Sequence, residues 1–66
     1  MTFAENILKL RASLGGISQS KLAKLLFTSQ SAVSNWEKGV TKCDAKIYLK
    51  LEKLCDKKGI IINWRK

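Results

Sequence analysis

Ser18-Gln19-Ser20-Lys21-Leu22-Ala23-Lys24-Leu25-Leu26-Phe27-Thr28-Ser29-Gln30-Ser31-Ala32-Val33-Ser34-Asn35-Trp36-Glu37-Lys38-Gly39 is the stretch on which the reading of this chain turns. Ser18 can cap a helix, because its hydroxyl satisfies an orphan amide of the first turn. Leu22, Ala23, Leu25 and Leu26 then give that helix an apolar face, with Lys21 and Lys24 outside it. Phe27-Thr28-Ser29 breaks the run, and Ser29 can cap a second helix that opens at Gln30. In that helix Val33 and Trp36 face inward, while Gln30, Ser31, Ser34, Asn35 and Lys38 share the outer side. Gly39 suits a left-handed stop. Two helices crossing steeply over so short a turn need a small residue where they touch, and Ala23 supplies it.

Outward from this core the chain reads as helix on both sides. Thr2 and Glu5 have the spacing of a capping box. Phe3, Ile7, Leu8, Leu10 and Leu14 recur at helical spacing until Gly15-Gly16. Asp44 can open a last helix, where its charge suits the N-terminal dipole. Ile47, Tyr48, Leu51, Leu54 and Cys55 make its apolar stripe, Lys46, Lys50, Lys53 and Lys57 lie opposite, and Gly59 is the stop. The tail Ile60-Ile61-Ile62-Asn63-Trp64 is β-branched and aromatic and favours an extended form.

Composition narrows the function classes. The chain has 66 residues, enough for one domain, and 45% are hydrophobic. Lys and Arg number 13 against 5 Asp and Glu, a formal net charge of +8. Such a surplus on so small a body points to a polyanionic partner. No apolar run nears the roughly 20 residues that cross a bilayer, and no secretory signal opens the chain, so a cytoplasmic, nucleoid-associated protein is expected. The two cysteines, Cys43 and Cys55, make no disulfide framework, and without histidine they complete no zinc site of the common mixed type. Asp44, Glu52 and Asp56 look like helix-surface charges, and no phosphate-binding glycine loop appears, so no catalytic site, cofactor, metal or small-molecule ligand is expected.

Taken together, Gln19, Leu22-Ala23, Ala32-Val33-Ser34 and Trp36-Glu37-x-Gly39 resemble the helix-turn-helix of the Cro and cI-type phage repressors and of bacterial regulators of the xenobiotic-response-element type, most of all a Cro repressor. The resemblance implies an all-α, lambda-repressor-like bundle of four to five short helices, with room for a short C-terminal β-strand. It implies one domain over residues 1–66, with the helix-turn-helix at 18–39 and a tail at 60–66. The second helix of the motif would lie in the major groove. Gln30 matches the position that most often reads a base, and a glutamine can bond adenine N6 and N7 together. Ser31, Ser34 and Asn35 fall at neighbouring base-contact positions. Gln19, Ser29, Lys38 and Lys42 match or suit phosphate contacts, which set position and affinity. Arg11 and Glu37 resemble an ion pair that ties helix 1 to the end of helix 3.

The resemblance further implies double-stranded operator DNA as partner and a homodimer on a palindromic site. Ile60, Ile62 and Trp64 would form the dimer seam if the tail is an exposed strand, whereas a tail folded on its own core would be structural. The alternative is an antitoxin or other partner-binding module with the same fold. Two features depart from the family pattern. Phe27 stands where many relatives carry glycine, so this turn is expected to be reshaped or strained. The Gly15-Gly16 loop is also one residue longer than usual.

Overall fold

The computed structural model describes residues 2–64 and contains four helices: α1 Phe3–Ser13, α2 Gln19–Leu25, α3 Gln30–Lys38 and α4 Ala45–Lys58. Each begins at a side-chain cap. Thr2 and Glu5 form the reciprocal capping box, Glu5 N donating to Thr2 Oγ1 at 3.1 Å and Thr2 N to Glu5 Oε1 at 2.8 Å. The same bonds hold the Glu5 carboxyl below its usual range. Ser18, Ser29 and Asp44 accept from Lys21, Ala32 and Ile47 amides at 3.1, 3.1 and 3.0 Å.

The helix ends follow one rule with one substitution in it. Gly15, Gly39 and Gly59 adopt φ of 90°, 76° and 69° after α1, α3 and α4. After α2 the same left-handed position is held by Phe27 at φ 57°. Its amide donates to Lys24 O at 3.2 Å and the next amide, Thr28 N, to Ala23 O at 2.9 Å, the double bond pattern of a left-handed helix stop. The turn therefore keeps the geometry a glycine would give and carries the strain, roughly 1–2 kcal/mol, in a phenylalanine. The phenyl ring is 83% exposed, so packing does not repay that cost. Lys50 of α4 braces the turn: its ammonium donates to Leu26 O at 3.3 Å and stands 5.2 Å from the Phe27 ring centroid.

The core gathers Ile7 and Leu10 of α1, Leu22 and Ala23 of α2 with Leu26, Val33 and Trp36 of α3, and Leu51 and Cys55 of α4. α3 packs against both α1 and α2. Leu25 and Leu8, counted on apolar faces by spacing, are instead 44% and 46% exposed.

The tail takes one of the two forms the sequence leaves open. Residues 60–64 form no strand; they fold back onto the bundle, with Trp64 only 5% exposed. The Trp64 indole N–H donates to Cys55 Sγ at 3.4 Å, and its ring lies 5.9 Å from that of Phe3. Phe3 also meets Trp36 at 6.0 Å and Tyr48 at 5.6 Å, both edge-on, the arrangement aromatic quadrupoles favour. One ring of α1 thus joins α3, α4 and the tail. Asn6, 3% exposed, completes the attachment by donating Nδ2 to Asn63 O at 3.1 Å. Ile60 and Ile62 pack partly against the same core. Trp64 is therefore a core residue, not an exposed dimer contact, because its apolar ring has a filled site in its own chain. Residues 65 and 66 of the expected tail lie outside the described residues.

Candidate nucleic-acid interface

α3 presents two different faces because its sequence alternates them at helical spacing. Val33 and Trp36 are buried at 0% and 4% exposure. At about 100° per residue, Gln30, Ser31, Ser34, Asn35 and Lys38 fall within one arc of about 140° on the other side. Gln30, Ser31 and Lys38 are exposed, and Ser34 and Asn35 half-buried. Ser29 stands at the head of this surface. Its hydroxyl accepts from Ala32 N and keeps its own hydrogen to donate outward. Lys42 follows in the loop after α3 and is exposed.

What fixes α3 in place is a buried polar junction at its far end. Arg11 Nε donates to Glu37 Oε2 at 2.7 Å and Nη2 to Glu37 Oε1 at 3.1 Å, a two-point guanidinium–carboxylate pair. The Glu37 side chain is 8% exposed and that of Arg11 24%. Arg11 Nη1 also donates to Ile17 O at 3.0 Å, which ties down the Gly15-Gly16 loop. Gln19 Nε2 donates to Glu37 Oε1 at 2.8 Å. One carboxylate therefore receives hydrogen bonds from α1 and α2 while sitting on α3. The position of Gln19 was read from resemblance as a phosphate contact; in this structure its amide nitrogen is turned to Glu37, and the half-buried side chain buttresses the motif.

Neither Asn6 nor the Gln19–Glu37 bond was anticipated from the sequence. Asn6 had a signal: it lies three residues after Phe3 and four before Leu10, on the buried stripe, where a polar residue must find a partner. Gln19 had none, because a helix-opening glutamine reads equally as solvent-facing.

Ionisation elsewhere marks core rather than chemistry. Burial pushes the Cys43 thiol up to about 11; a hydrogen bond from its own backbone opposes the shift, and the Asp44 carboxylate adds to it. Cys55 is raised mainly by burial, against the Trp64 hydrogen bond that lowers it. A raised thiol is a poor nucleophile at neutral pH. Among the described residues no helix is long and apolar enough to cross a membrane, and no group of His, Cys, Asp and Glu is placed to hold a metal ion.

Two short helices meet across a tight turn, and the second is exposed along a polar arc and anchored at its end by Arg11 and Glu37. A family model described as helix-turn-helix matches residues 7–60, which takes in all of α2, α3 and α4 and most of α1. No curated protein and no solved structure matches the chain. The family is one of regulators that bind double-stranded DNA. The chain belongs to this helix-turn-helix family, of the Cro/cI type, and is a sequence-specific DNA-binding transcriptional regulator with an all-α, lambda-repressor-like fold.

Proposed function

We propose that the protein is a Cro-like phage repressor whose residues 1–66 act as one DNA-binding domain, in the cytoplasm of a bacterial host, on a palindromic operator. The observation that carries this reading is the polar arc of α3, offered to solvent while Val33 and Trp36 hold the opposite face in the core. Laid in the major groove, α3 reads bases through Gln30, Ser31, Ser34 and Asn35. Gln30 does most of the selecting, because it is exposed at the N-terminal end that enters the groove first. Ser29, Lys38 and Lys42 meet the phosphates, and the net charge of +8 draws the duplex in by displacing counterions. Gln19 contributes by holding Glu37 through one Nε2 hydrogen and has the second to offer a phosphate.

The protein acts as a dimer, with two copies of α3 about 34 Å apart on successive turns of one groove face. With Trp64 inside the core, the seam falls to the outer side of the tail, where Ile61 is 92% exposed beside a groove of about 400 Å³ lined by Glu52, Cys55, Asp56, Ile60 and Ile62. Bound across a promoter, the dimer excludes polymerase, and its occupancy follows its concentration. The antitoxin alternative fits a tail left disordered until its partner binds, whereas here the tail folds onto the core through Trp64.

Selection of duplexes from a random library at near-physiological salt tests the reading. The expected product is a palindrome whose recovery is lost in Gln30→Ala. Recovery of no preferred sequence would sink base reading by α3, and recovery of a single half-site would sink the dimer.

A further inference from the structure

Phe27 is the feature that the DNA-binding reading leaves unexplained. It is the one non-glycine residue with positive φ among the described residues, at 57°, and its ring is 83% exposed. A strained backbone usually persists because a side chain is packed; here the side chain is in solvent. The ring does have a neighbour, the Lys50 ammonium 5.2 Å from its centroid. That ammonium gives one hydrogen to Leu26 O and has two more to offer. Lys46, Lys53 and Lys57 continue from Lys50 along one stripe of α4 and are exposed. A rigid phenyl group thus stands beside a row of lysines, on a turn fixed from both sides.

The geometry points to a docking site for an acidic segment of a partner protein, with Phe27 as its apolar anchor and the α4 lysines as its charge complement. An exposed aromatic ring with one cation against it and a lysine stripe leading away fits an acidic chain carrying one or two apolar side chains. The apolar groups cover the ring and the carboxylates take the ammonium donors. A nucleic acid fits less well. Duplex phosphates offer nothing to a phenyl ring, and the bases of a duplex are already stacked on one another. A second copy of this chain also lacks the chemistry. Of its five acidic residues, Glu5 and Asp44 are tied to helix caps and Glu37 to Arg11 and Gln19, while Glu52 and Asp56 sit on α4 among the same lysines, which a second copy would bring against their like. Phe27 lies on the turn that leads into α3, two residues before Ser29, so the docking site borders the DNA-binding surface.

Selection of a displayed random peptide library on the wild-type protein, with isothermal titration of the recovered peptides, tests this. The expected winners are acidic peptides with an apolar residue. They bind Phe27→Gly and Phe27→Asn about tenfold more weakly than wild type, a loss of about 1.4 kcal/mol. Both substitutions keep the left-handed turn and remove the ring, so the fold survives. Lys50→Gln weakens the same peptides, and added salt weakens them further. Operator affinity stays within about twofold in the Phe27 variants, since both keep the left-handed turn that leads into Ser29 and Gln30. Recovery of no peptides, of peptides without acidic bias, or of peptides that bind Phe27→Gly as well as wild type overturns the proposal. So does loss of operator binding in both Phe27 variants, which would make the ring part of the DNA surface.

Discussion

Arg11 and Glu37, 26 positions apart in sequence, are joined by two parallel hydrogen bonds of 2.7 and 3.1 Å, and the carboxylate side of the pair is 8% exposed. The pair closes a junction of three helices, because Gln19 donates to the same carboxylate at 2.8 Å. Removing one partner strands the other in a poorly hydrated place. Glu37→Ala should cost about 2 kcal/mol, measured by urea denaturation, less than a fully buried pair because Arg11 retains some contact with water. Gln19→Ala should cost about 1 kcal/mol, and the two changes should be clearly non-additive in a double-mutant cycle.

Phe27→Gly should stabilise the protein. Relief of left-handed strain, roughly 1–2 kcal/mol, opposes a smaller loss from added chain entropy in the unfolded state and from the contact with Lys50. A net gain of about 0.5 kcal/mol is expected, read as a higher urea midpoint at unchanged slope. An unchanged or lower midpoint would show that the turn carries no strain worth relieving.

The Asn6 clamp on the tail gives a spectroscopic test. Asn6→Ala removes the donor to the Asn63 carbonyl and should cost about 1–2 kcal/mol. Trp64, buried beside Phe3 and Cys55, should then become more accessible to an aqueous quencher, while Trp36 in α3 remains protected. Single-tryptophan variants separate the two signals.

The thiols predict alkaline behaviour. At pH 8 a Cys43 pKa of about 11, against the ordinary 9.0, leaves about one thiolate in a thousand rather than one in ten, so alkylation of folded protein should be far slower than of unfolded protein. The sign for stability follows. Between about pH 9 and 11 the unfolded thiol has lost its proton and the folded one has kept it, so the unfolded state binds fewer protons and stability falls as pH rises. Cys43→Ala should flatten that part of the stability profile.

On DNA, Lys38→Ala and Lys42→Ala should each lower the salt slope of operator binding by about one and weaken all sequences alike. Gln30→Ala should instead cost about 1–3 kcal/mol on the selected site and little on random duplex. A slope unchanged in both lysine variants would remove them from the phosphate contacts.

The four helices were legible in the chain because their signals are local. Thr2, Ser18, Ser29 and Asp44 each offer an oxygen where the first free amides lie, and all four act as caps. Gly15, Gly39 and Gly59 mark stops, and the strained turn at Phe27 was foreseeable because that position needs a left-handed residue. The apolar stripes placed the core apart from leucines such as Leu8 and Leu25, which share the helical spacing but are 46% and 44% exposed.

By itself, then, the sequence determined where the chain turns, which face of each helix is apolar, and which polar side chains line the exposed arc of α3, since each depends on residues within a few positions of one another. The tertiary structure alone decided what the tail does. A run of β-branched residues ending in tryptophan suits a strand or a folded cover equally, and the choice came from partners 9, 57 and 61 positions away: Cys55 for the indole N–H, Asn6 for the Asn63 carbonyl, and Phe3 for the ring. Only the assembled bundle creates that site, and filling it removes a large aromatic surface from water, which an exposed strand would leave wet.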